Sequence, residues 1–85
     1  MMDHLAKTEF NARLPEALEI IQDYEDICEG QERQAWANMG TRLKMTIGVV
    51  AAFLRHRSSD AKQMDIRHLI SMAAGIVKTA AQSRY

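Results

Sequence analysis

The chain has 85 residues, 47% of them apolar, and its 11 basic and 11 acidic side chains cancel to zero net charge. That length makes one helical domain, 1–85. The longest apolar run, Val49–Leu54, falls far short of the roughly 20 residues a membrane span needs, and a single cysteine excludes an internal disulfide.

A core this small is marginal by itself, and with neither disulfide nor metal to help, self-association is the expected supplement. The N-terminus begins acidic at Asp3 and holds no apolar signal core, so a cytoplasmic location is expected. Cys28 lies on the apolar side of its helix, which predicts a buried and inert thiol.

The charges are sorted along the chain. Met1–Gly30 carries eight acidic residues against Lys7 and Arg13, whereas Gln31–Tyr85 carries three acidic residues against nine basic ones. The halves are therefore −6 and +6, a dipole that the neutral total conceals.

Residues 1–14 read as an N-terminal helical extension with Leu5, Ala6 and Phe10 as its contacts. The first bundle helix is predicted over about 15–29. Pro15 suits a first helical turn, where its missing N–H costs nothing, and Gly30 suits the position just past the end. Ala17, Leu18, Ile20, Ile21, Tyr24, Ile27 and Cys28 fall on one half of its wheel. Glu16, Glu19, Asp23 and Asp26 form a ridge on the other half. That ridge is either a solvated face or an acidic recognition surface for a basic partner.

The second helix is predicted over about 31–57, roughly 40 Å at 1.5 Å per residue. Trp36, Gly40, Leu43, Ile47, Val50 and Leu54 follow the 4-3-4-3-4 spacing of a heptad seam. Met45, Val49, Ala52 and Phe53 form a second stripe beside it, so the helix must be covered from two directions. Trp36, Met39, Leu43, Ile47, Val50 and Leu54 are the expected contact with a partner or a second copy. Gly40 and Gly48 inside a helix each cost about 1 kcal/mol relative to alanine. Close helix contact opposite Trp36, or a partner's backbone at Gly48, would account for them.

Ser58, Ser59 and Asp60 favour a turn. The third helix starts at 60 or 65, with Asp60 or Asp65 as its N-cap, and runs to about 82. Its apolar face is Ile66, Leu69, Ile70, Ala73, Ile76, Val77 and Ala80. Short joints favour antiparallel neighbours and a three-helix bundle.

Arg55, Arg57, Lys62 and Arg67, with His56 and His68, cluster around the second joint. Cations at a helix C-terminus suit the macrodipole; the functional alternative is an anion or nucleic-acid contact. Against nucleic acid stand the zero net charge and the absence of a recognisable module. The three histidines are far apart in sequence, Cys28 has no cysteine companion, and no glycine-rich phosphate loop occurs. No metal, cofactor or catalytic site is expected.

The expected function is thus non-enzymatic protein–protein interaction: a small regulator, inhibitor or adaptor of a larger cytoplasmic partner, acting as a homodimer. The alternative is a nucleic-acid-binding regulator that uses the basic 55–68 region.

Overall fold

The computed structural model describes residues 2–57 and 63–83, with side chains from residue 7 onward. Among the described residues there are four helices and no strand: α1 (Met2–Ile27), α2 (Gly30–Asn38), α3 (Thr41–Arg57) and α4 (Ile66–Gln82). The all-α class is as expected; the division into three helices is not. The predicted extension and first helix are one continuous helix, and the predicted second helix is two.

The first difference lies at Pro15, which sits inside α1 instead of opening it. A proline within a helix leaves the carbonyl four residues earlier without its donor, usually at a cost of about 3 kcal/mol or more. Here that carbonyl belongs to Asn11, and both Asn11 and Pro15 are exposed, so water can serve it. Beyond Pro15, Ala17, Ile20 and Ile21 are buried, and each of the two isoleucines stabilises by about 1.5–3 kcal/mol when fully enclosed. Burial outweighs the lost bond.

The second difference lies at Met39–Gly40. Met39 takes an extended conformation (φ −74°, ψ 149°) and its N–H bonds the Trp36 carbonyl at 3.1 Å. Helix resumes at Thr41, and the Lys44 N–H reaches back to the Gly40 carbonyl at 3.1 Å. Between α1 and α2 the turn is made by Gly30, whose φ of 61° is the one positive value among the described residues. Only glycine adopts that region readily.

The expected start of the last helix holds. Asp65 caps α4, its Oδ1 accepting the Arg67 N–H at 3.1 Å. The alternative cap Asp60 lies outside the described residues.

α1 runs antiparallel to α3. Arg13 lies 5.2 Å over the Phe53 ring, Glu16 meets Arg55 and His56, and Ala17 and Ile21 press on Gly48. α4 packs on α3 and also touches α1, with Leu69, Ile70 and Ala73 in the same core as Ile47, Ala51 and Ala52. The expectation that this helix needs cover from two directions is met within the chain.

Gly48 explains how α1 comes so close. A β-carbon there would lie 2.7 Å from Ile21 Cδ1 and 3.2 Å from Ala17 Cβ. The close neighbour is α1, not a partner's backbone. At Gly40 a β-carbon would meet nothing within 4 Å, so the expected tight contact opposite Trp36 is absent; Gly40 sits at a break in the helix. Gly48→Ala gains about 1 kcal/mol of helix preference but overpacks the contact by about 1–3 kcal/mol. The net expectation is a lower urea midpoint at unchanged m-value. Adding Ile21→Val, which removes the obstructing Cδ1, should recover part of the loss. A midpoint for Gly48→Ala at or above wild type would show that the interface yields freely.

Candidate functional site

α2 has nine residues, too few for an isolated helix to persist in water. One buried side chain, Trp36, ties it to the body. The indole meets the Tyr24 ring edge-on, centroids 4.9 Å apart at 71°, and its Nε1–H donates to Glu25 Oε2 at 2.9 Å. Lys44 Nζ lies 5.7 Å from the indole centroid. Such ring pairs contribute about 0.5–1.5 kcal/mol beyond burial, and the bond to a charged acceptor is of the stronger kind.

Trp36 separates two open hollows. One, about 270 Å³, is lined by Glu25, Cys28, Arg33, Trp36, Ala37 and Lys44. The other, about 370 Å³, is a groove between α2 and α4 that includes Tyr24, Trp36, Met39 and Ile70, with Glu32, Arg67 and Lys78 as its charged members. No histidine lines either hollow. Cys28 is buried as expected, its Sγ 4.0 Å from the Glu25 carbonyl, and the Glu25 carboxylate is engaged by Trp36. Neither hollow assembles the nucleophile, base and orienting group that covalent catalysis uses. Among the described residues no three His, Cys, Asp or Glu side chains group as ligands for a metal ion.

The proposed contact seam is largely consumed by the chain's own core. Trp36 and Ile47 are 4% and 2% exposed, while Met39, Val50 and Leu54 pack partly against that core. Leu43 alone stands out, at 43%. The reason is that α1 and α4 both lie on α3 and between them cover the seam.

The acidic ridge divides in the same way. Glu19, Asp23 and Asp26 are exposed, and Asp26 accepts a bond from Gln22 at 3.1 Å. Glu16 does not point freely to water: Oε1 accepts from His56 Nε2 at 2.6 Å and Oε2 is 3.7 Å from Arg55.

The basic residues do not converge. Arg55 is held by Glu16. Arg67 donates through Nη2 to the Ile27 carbonyl at 3.0 Å and lies 3.9 Å from Glu32. Those anchor points are eleven residues apart on α1, roughly 16 Å along its axis. Arg57 is exposed, and Lys62 lies outside the described residues. Arg67 has a structural task, since α1 has no basic residue in its last turn and a cation there complements the unpaired carbonyls.

Leu18, Ile27 and Ile76 are exposed where the sequence pattern places core, and Met72 is exposed outside that pattern. Leu18 and Ile27 on α1 are 54% and 39% exposed, and Met72 and Ile76 on α4 are 40% and 45%. Met72 and Ile76 are one turn apart and so lie side by side on the helix. Ile76 continues the stripe of Leu69 and Ala73, which are 1% and 0% exposed; the stripe outruns its cover. No protein-family model, curated protein or solved structure matches the chain.

Tyr24, at the floor of the α2–α4 groove, has its phenol pKa raised above the usual 10.0. Burial is the main cause; the negative charges of Glu32 and Cys28 add to it and Arg67 opposes. The folded state thus holds the phenol proton more tightly than the unfolded chain. The stability this supplies is complete below pH 10.0 and is lost as pH rises through the raised value. In Tyr85→Phe, where Tyr24 is the remaining tyrosine, phenolate titration should give a midpoint above 10.0. A midpoint at or below that value would contradict the burial of the phenol.

Proposed function

We propose that the protein acts without catalysis, through protein–protein contacts, as a small regulator, inhibitor or adaptor that also pairs with a second copy of itself. The observation that carries this reading is the stripe of Met72 and Ile76, nearly half exposed on α4 in direct continuation of buried core positions. Large apolar side chains in register with a core are a natural continuation of that core onto another protein, and aliphatic and thioether side chains adapt well to a partner's contours. Glu19, Asp23 and Asp26 supply an acidic face that can steer a basic partner without adding much affinity. The nucleic-acid alternative loses support, because two of its four basic residues are already paired with carboxylates of the same chain.

The double substitution Met72→Glu with Ile76→Glu tests the docking surface. Both side chains are well exposed, so the unfolding free energy should stay within about 0.5 kcal/mol of wild type. Immobilised wild-type protein should retain a partner from a native lysate that the double variant does not. Equal retention by both, or by neither, would remove this surface from the reading.

A further inference from the structure

We infer that two copies of this chain associate by exchanging their α1–α2 halves, with α2 and α3 fusing into one helix over 30–57. The inference rests on the self-association proposed above and concerns how the copies pair.

The break at Met39–Gly40 is closed by two backbone bonds, Met39 N–H to the Trp36 carbonyl and Lys44 N–H to the Gly40 carbonyl, but it has neither a side-chain cap from Gly40 nor favourable charges at the two helix ends. The residue before Thr41 is Gly40, which has no side chain to accept an N–H. α2 has no basic residue in its last turn, and α3 has no acidic residue in its first. Instead Arg42 and Lys44 place positive charge beside the positive end of α3, where it is unfavourable. The joint after Met39 is not a left-handed glycine turn either, since among the described residues only Gly30 has positive φ. By contrast α4 starts on the Asp65 cap. The heptad spacing meanwhile runs through the break from Trp36 to Leu54.

A continuous helix would give the N–H groups of Gly40, Thr41, Arg42 and Leu43 the carbonyls of Trp36, Ala37, Asn38 and Met39. It would also take Arg42 and Lys44 away from a helix start. Straightening within one copy, however, would strip α1 from α3 and expose Gly48, Ala51 and Ala52. A second copy removes that cost. Trp36, through Tyr24 and Glu25, holds α2 to α1 as one unit, and α4 packs on α3 as the other. In the exchanged pair α1 of each copy lies on α3 of the other, so the same side chains are buried and the pair closes on a two-fold axis. The two forms then differ mainly at the hinge.

Light scattering on size-exclusion fractions over a range of concentrations tests this with two substitutions at one position. Gly40→Ala fits the bent form, where a β-carbon has open space, and favours the straight one. With two hinges per pair, each gaining the helix preference of alanine, dimerisation should tighten about 20-fold. Gly40→Pro removes the N–H that the straight helix needs and collides with the Trp36 carbonyl. It suits the bend, because Met39 already has the extended conformation favoured before proline. That variant should stay monomeric with native helicity; if it does not fold, Gly40→Ala decides alone. Dimers of equal strength in wild type and Gly40→Ala would overturn the exchange and leave self-association standing. Monomers throughout would overturn both.

Discussion

Trp36 is the residue through which the short second helix belongs to the fold. Nine residues of helix with one buried side chain have little other reason to stay in place. The indole fills space against Tyr24, spends its single donor on Glu25, and accepts Lys44 on its face. Truncating a buried tryptophan typically costs about 3–5 kcal/mol, comparable with the whole stability of a marginal small domain. Both of the hollows described above have this ring as a wall, so the surface between α1, α2 and α4 takes much of its shape from one side chain.

The sorted charges meet only in part. Glu16 takes Arg55 and His56, and Glu32 lies near Arg67, so two of the links join the acidic and basic regions within one chain. Each is partly exposed and of the kind that contributes about 0–1 kcal/mol. The enclosed aliphatic side chains contribute more apiece. Burial therefore decides which helices pack, and charge selects among orientations: α1 antiparallel to α3 brings Glu16 to the basic end of α3. Glu19, Asp23 and Asp26 remain for solvent or for a partner.

Helical class, the apolar stripe of α1 around Ala17, Ile20, Ile21 and Tyr24, the buried Cys28 and the Asp65 cap were legible from periodicity and cap chemistry. What escaped depended on three-dimensional competition. Pro15 carries the signal of a helix start, yet a helix whose later turns are well buried can run through it when the orphaned carbonyl faces water. The seam from Trp36 to Leu54 reads as one long helix because its heptad spacing runs on past Gly40, the one local mark of a break; folding back lets Trp36 reach Tyr24 and α1 reach Gly48. Periodicity also cannot say how far along a stripe the cover extends, which is why Ile76 looks like core from spacing and is exposed in the fold. The same blindness put Ile47 on an outer surface that α1 and α4 occupy.

Cys28 has a practical consequence. It is the chain's single sulfhydryl, 1% exposed where α1 turns into α2. An alkylating reagent can modify it only during moments when that corner comes apart, and the thiolate is the reactive species. The rate of labelling, compared with that of a free thiol, is thus a clock for local breathing of the corner. The molecule carries its own gauge, placed beside the one tryptophan whose fluorescence would report the same event.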